Sequence, residues 1–231
     1  ANTSYVVEAF AQTLTLLDQS GLPSPDDSRV KVLDDSLFNF TSVPLLALSK
    51  SHANVTVSGA THIKADTITL HSAAESFASP HFSSWLGASA AWGSSDAKAS
   101  TQVLGSTQLT SAQETRMTAS TDVRLDVTAD LSSVNTPVDV VFVHADNTSL
   151  ALAETGSATQ IRAGAVELAA NTQAKINVIG KASNMGGSGL GIAVVVNQSS
   201  NTVEAKLGGD VIATSGDVKV AADIDIVKNT T

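Results

Sequence analysis

The side chains best suited to acid–base or metal chemistry include five histidines, and their spacing is the first feature to weigh. They are His52, His62, His71, His81 and His144. None of them is spaced as in a metal-binding motif such as HExxH, in which two histidines share one helix face. We therefore predict that the histidines are outward positions of alternating strands and that the chain has no metal site.

Carboxylates are the second set of candidates, because a polysaccharide hydrolase or lyase needs paired acids, or acids with calcium and a basic residue, in one groove. The candidate pairs are Asp26 with Asp27, Asp34 with Asp35, and Asp210 with Asp217. Each pair lies at a turn, where Asp commonly bonds to its own backbone. We assign no catalytic residue, and a carbohydrate-active β-helix enzyme or a carbohydrate-binding module remains the alternative interpretation.

A glycine-rich segment, from Asn184 to Gly191, superficially resembles a phosphate-binding loop. It precedes an apolar strand, whereas a nucleotide-binding loop follows a strand and opens a helix whose N-terminus holds the phosphate. The segment therefore predicts a corner, and we expect no cofactor.

Two excursions from the strand pattern predict protruding loops, Ser76 to Leu86 and Lys181 to Gly189. Loops on a rigid scaffold commonly carry binding residues. The first excursion contains our candidate ligand-contact residues, His81, Phe82 and Trp85. Because aromatic rings can stack on sugars, Trp85 is the candidate for glycan contact, while Trp92 lies in an apolar run and is predicted to be core.

Composition excludes several classes of partner and site. The net charge is −9 and no basic cluster is present, so a nucleic-acid backbone would be repelled. The chain has no cysteine, which excludes disulfides and thiolate metal sites. No apolar stretch has the length of a membrane span, so we predict none.

A unit of about fifty residues occurs four times, and this periodicity determines the predicted fold. One set of equivalent positions is Val55, Ala99, Leu150 and Val203, and a second is Ile63, Leu109, Ile161 and Val211. Within each unit short alternating segments put Val, Ile, Leu and Ala on one face and Thr, Lys, Asp and Glu on the other. Glycines lie between these segments, where the chain must bend.

The repeats predict an all-β protein built as a parallel β-helix, or β-solenoid, with about two rungs per unit. Asn-Gly and Asp-Gly dipeptides, which favour tight hairpins, do not occur. We divide the chain into an irregular or partly helical segment, residues 1–42, and β-helix repeats, residues 43–231. Tyr5 to Asp18 fits either an amphipathic helix or a strand, and both alternatives stay open.

The units also resemble a known family. The sequences VPLLALSKSHANVTVSGATHIKADTITLHSAA from Val43 and GIAVVVNQSSNTVEAKLGGDVIATSGDVKVAAD from Gly191 are similar to repeats of large exported bacterial filamentous-haemagglutinin-like and leukotoxin-like adhesins. The resemblance covers residues 43 to 228 and implies a right-handed β-helix, an extracellular or cell-surface location, and a non-enzymatic role as stalk or adhesive surface. Implied partners are a receptor or glycan on a host or neighbouring cell, and further copies joined end to end.

Overall fold

The structure is a computed structural model that describes residues 3–18, 30–32, 45–84, 88–133, 138–184 and 189–231. Every regular element in these ranges is a β-strand. In chain order the strands are β1 (Ser4–Asp18), β2 (Val30–Val32), β3 (Leu45–Val57), β4 (His62–Ser84), β5 (Ala88–Val103), β6 (Gln108–Ser133), β7 (Val138–Thr155), β8 (Gln160–Ala163), β9 (Ala165–Asn184), β10 (Leu190–Lys206), β11 (Asp210–Ala213) and β12 (Val218–Thr230).

The strands form two sheets that face each other across one narrow core. The first sheet contains β1, β4, β6, β8, β9, β11 and β12, and the second contains β10, β7, β5, β3 and β2 in that order. Neighbouring strands are parallel except for the short antiparallel pair of β2 with β3. The chain alternates between the sheets, so the all-β architecture with parallel strands in two sheets is the one expected of a β-solenoid.

Each repeat adds one layer to both sheets. Ile63 pairs with Leu109, Leu109 with Ile161, and Ile161 with Val211, which confirms the second set of equivalent positions. The first set is displaced by one or two residues at two positions. Ala99 pairs with Ala53 rather than Val55 and with Ala151 rather than Leu150, and Ala151 in turn pairs with Val203.

The strands are longer than the sequence suggested. We expected short strands and two rungs in each unit, but β6 has 26 residues and β4 has 23. Alternation continues without a break through Ser- and Thr-rich stretches, because small hydroxyl side chains also fit the narrow interior. As a result, one unit supplies one long strand to the second sheet and one long strand, interrupted at most by a bulge or a short break, to the first.

The N-terminal segment joins this arrangement directly. Of the two alternatives for Tyr5 to Asp18, the structure has the strand, because β1 pairs in parallel with β4 from Ser4 opposite Thr67 to Asp18 opposite His81. The helical interpretation is wrong. Residues 33–44, which contain the predicted boundary, lie outside the described residues.

The core is divided into two apolar clusters with hydroxyl groups between them. One cluster contains Ile68, Leu70 and Leu168, and the other contains Phe82 and Leu125. Between them lies a hydroxyl seam, which we define as buried Ser49, Ser76 and Ser95. Ser95 Oγ donates to Ser76 Oγ at 2.8 Å, and Ser76 Oγ donates to Ser49 Oγ at 3.0 Å. These bonds satisfy polar groups that would otherwise be costly to bury.

Glycines form the corner between the second and first sheets, as predicted. Gly59 and Gly105 have φ angles of 87° and 72°, a region that residues with a Cβ rarely adopt. The two corners also stack closely, since a Cβ on Gly105 would lie 3.0 Å from the backbone of Gly59. Turn conformation and stacking therefore both require glycine at this corner.

Candidate functional site

The predicted ligand-contact loop is not a loop over the part that the structure describes. Strand β4 continues to Ser84, so Ser76 to Ser84 belong to the first sheet. Pro80 and Phe82 point into the core, and Phe82 is 1% exposed. Pro80 lacks an N–H and lies where the pairing of β4 with β6 lapses, between Ala78 and His81. The loop prediction failed because it gave the proline and the clustered polar residues more weight than the alternating pattern.

The three candidate residues therefore have different positions. His81 is exposed on the outer face of the first sheet, beside Thr128 of β6. Phe82 is buried and its ring is not accessible to a ligand. Trp85 lies outside the described residues. The second predicted loop is also partly strand, since β9 extends through Lys181 to Asn184.

Trp92 is the accessible aromatic that sequence reasoning missed. We predicted it to be core, but it points outward from β5 and is 47% exposed. Its neighbours Ala91 and Gly93 point inward instead. A Cβ on Gly93 would lie 2.5 Å from Val127 Cγ2, so the sheets approach too closely there for a larger residue. Because strand side chains alternate, small residues on the inner face place the indole on the outer face.

Apolar side chains surround Trp92 on the outer surface of the second sheet. We call this surface the Trp92 face and define it by the outward residues Leu46, Leu48, Ala88, Ala90, Trp92, Val138, Val140, Phe142, Leu190, Ile192 and Val194. Phe142 is 40% exposed and Leu190 is 59% exposed. A recess of about 410 Å³ lies on this face, lined mainly by Leu46, Leu48, Ala90, Trp92 and Phe142.

The sequence did contain a signal for this surface. The runs LLAL, VVFV and IAVVV are apolar at consecutive positions rather than alternate ones. Such runs are typical of strands that are covered on both faces. Within the described residues these strands are covered on the inner face only, and the outer face is the part that needs a functional explanation.

Charged residues border the Trp92 face farther along the same strands. The Asp96 Oδ2 atom lies 3.7 Å from Lys50 Nζ, 3.6 Å from Lys98 Nζ and 3.5 Å from His52 Nε2. One carboxylate is thus shared by two lysines and a histidine, so the group keeps a small excess of positive charge.

A second recess, of about 230 Å³, lies on the outer face of the first sheet. Glu75 of β4 and Asp122 of β6 are register partners there, and Arg124 Nη2 lies 2.7 Å from Asp122 Oδ2. The hydrogen bond to Asp122, and then its charge, raise the pKa of Arg124 above its usual value. Two carboxylates and a guanidinium therefore lie on adjacent strands, which is the combination expected of a polysaccharide hydrolase or lyase. None of these residues belongs to the Asp pairs predicted from the sequence.

Of the carboxylate pairs named from the sequence, the structure describes only Asp210 with Asp217. Asp210 begins β11, and the backbone carbonyl of Asp217 accepts a hydrogen bond from the Val166 N–H. Asp26, Asp27, Asp34 and Asp35 lie outside the described residues. All five histidines are described and none is buried. Among the described residues, no three His, Asp or Glu side chains are grouped so that they could hold a metal ion.

Comparison with known proteins identifies no relative. No protein-family model matches the chain, no curated protein matches it, and no solved structure matches it. The resemblance to filamentous adhesins therefore stays a prediction from the repeats. A helix long and apolar enough to cross a bilayer is absent from the described ranges.

Proposed function

We propose that this chain is a non-enzymatic structural and adhesive segment of a large exported bacterial surface protein. It would act as a right-handed β-helical stalk at the cell surface or in the medium, and it would bind a receptor or glycan on a host or neighbouring cell. The observation that carries this proposal is the constant register of the repeats, shown by the Ile63, Leu109, Ile161 and Val211 column.

A stalk of this kind is extended by adding repeats. Each added repeat covers the core of the preceding one and pairs its strand edges, so length is gained without a new core design. Right-handed winding is expected because a chain that leaves a strand and returns to a parallel neighbour in the same sheet crosses over right-handedly in nearly all proteins.

End-to-end association is part of the same proposal. The core-facing side chains of β12, such as Val218, Val220 and Ile224, are exposed. They form a surface on which another coil with the same spacing can stack, and association of this kind would extend the stalk.

An adhesion assay on the intact chain tests the proposal. Beads coated with the chain should bind to cells or to a glycan array, and incubation with polysaccharides should release no reducing ends and no unsaturated products. Trp85→Ala should lower glycan binding if Trp85 is the contact, with Trp92→Ala as the matched control. Turnover of a polysaccharide, or absence of binding to every surface, would overturn the adhesive role.

A carbohydrate-active enzyme is the second candidate, favoured by Glu75, Asp122 and Arg124. A lyase would need Arg124 to lose a proton and act as a base, but the neighbouring Asp122 raises its pKa and holds it as a cation. The arrangement therefore gives more support to a passive ion pair than to a base. Polysaccharide turnover that Asp122→Asn abolishes, while the fold is retained, would favour the enzyme.

A further inference from the structure

We propose that the Trp92 face is a self-association surface on which a second copy of this chain packs, sheet against sheet, about a twofold axis. This pairing is lateral, so it differs from end-to-end stacking and does not depend on the adhesive role. In such an isologous contact the same residues of both copies meet each other.

The composition of the face favours a protein partner. Its defining residues are all apolar, and the polar groups His144, Ser94 and Asp146 lie together beside Trp92 at one border. An apolar centre with a polar rim is typical of interfaces between identical subunits. A sugar would need hydrogen-bond partners around the aromatic ring, whereas here they lie on one side of Trp92 only and the rest of the face supplies none.

The size of the face approaches what a dimer needs once its protruding side chains are counted. It spans four strands, β3, β5, β7 and β10, and about three outward positions on most of them. With strands ~4.8 Å apart and outward positions ~6.7 Å apart, its flat footprint is roughly 400 Å². Side chains that protrude from a sheet expose more area than their footprint, and a standard interface buries about 800 Å² per partner.

The shape of the face is suited to packing against another sheet. Ala90 is small, and it leaves a depression beside the bulkier Trp92 and Phe142. The recess there can receive a protruding side chain of the second copy. Two sheets that interlock in this way pack about 10 Å apart, as in a β-sandwich.

Charge argues against a lipid surface as the partner. Anionic membranes attract segments with an excess of Lys and Arg, whereas this chain has a net charge of −9. The lysines near the face, Lys50 and Lys98, both lie beside Asp96. A second copy with the same net charge is also repelled, so added salt should strengthen pairing by screening that repulsion.

Sedimentation equilibrium of the full chain at several protein and salt concentrations gives the first test. We expect a reversible monomer–dimer equilibrium whose dissociation constant falls as salt increases. A monomer at all concentrations would overturn the proposal, whether the face stays open or another segment of the same chain covers it. Binding to lipid vesicles by a chain that stays monomeric would overturn it as well.

Charge substitution identifies the surface involved. Val194→Asp introduces a carboxylate into the face of both copies and should raise the dissociation constant by about tenfold or more. Val227→Asp is the matched control, because Val227 is an exposed outward valine on the first sheet. Circular dichroism checks that both variants fold. Equal dimerisation by both variants would overturn the assignment to this face.

Cross-linking gives a readout that does not weaken the interface. The chain has no cysteine, so Ala90→Cys places a single thiol in the Trp92 face. Ala73→Cys is the control, since Ala73 is a half-buried outward alanine of the first sheet. A bifunctional thiol reagent should couple two Ala90→Cys chains and leave Ala73→Cys largely uncoupled. Coupling confined to Ala73→Cys, or equal coupling of both, would contradict the proposal.

Discussion

Trp92 and His144 are register partners on neighbouring strands, and their rings are in contact. Trp92 lies on β5 and His144 on β7, with ring centroids 4.3 Å apart and an angle of 53° between the ring planes. The contact holds the indole on the outer surface of the second sheet. It also shows that the repeats align side chains between layers on the outside of the solenoid, and not only in the core.

Removing the imidazole should therefore have a measurable effect. His144→Ala is expected to lower the free energy of unfolding by about 0.5–1.5 kcal/mol, the range for a ring pair of this kind. The control is His81→Ala, because His81 is exposed on the first sheet. Urea denaturation measures both changes, and an equal effect of the two substitutions would contradict a specific ring contact.

Gly93 is expected to tolerate no larger residue. In Gly93→Ala the new methyl would lie 2.5 Å from Val127 Cγ2 and 2.9 Å from Leu125 Cδ1, so these side chains or the strands that carry them must shift. The expected loss is about 1–3 kcal/mol of unfolding free energy. Gly156→Ala is the control, since its Cβ would be 3.5 Å or more from its neighbours. Equal stability of the two variants in denaturation would show that the close approach at Gly93 is absent.

The hydroxyl seam should be sensitive to the loss of one donor. Ser95→Ala removes the hydroxyl proton that Ser95 Oγ shares between Ser76 Oγ and the Ser76 carbonyl oxygen. Because these acceptors are buried, the expected loss is about 1–2 kcal/mol. Ser100→Ala, at an outward position of the same strand, should change the melting temperature little. A melting temperature for Ser95→Ala equal to that of the unchanged protein would contradict the role of the seam.

The all-β architecture of stacked parallel strands could be predicted from the repeats, because equivalent positions such as Ile63 and Leu109 occupy the same place in each layer. The outer surface could not be predicted as well. In an apolar run such as ASAAW, consecutive residues are all compatible with the core, so alternation alone does not determine which face Trp92 occupies. That choice depends on the close contact of Gly93 with Val127, which only the opposite sheet supplies.

The position of Phe82 was missed for a related reason. Pro80, His81 and the nearby serines are typical of loops, yet Ala78, Pro80 and Phe82 alternate inward without a break. The buried phenylalanine belongs to a core cluster that also contains Leu125 and Leu131 from β6. Packing between distant parts of the chain therefore outweighed the local preference for a turn.

The register of successive repeats is the central claim, and engineered disulfides measure it most directly. Ser100 of β5 is the register partner of Leu152 of β7, and both point outward. Cα atoms of neighbouring strands lie about 4.8 Å apart, which a disulfide can span. The chain has no cysteine of its own, so each engineered pair is unambiguous. We predict rapid intramolecular bond formation in Ser100→Cys with Leu152→Cys, and little in Ser100→Cys with Thr148→Cys, whose partner position is Asp96. Equal oxidation of both pairs, or preferential oxidation of the second, would contradict stacking of the repeats in this register.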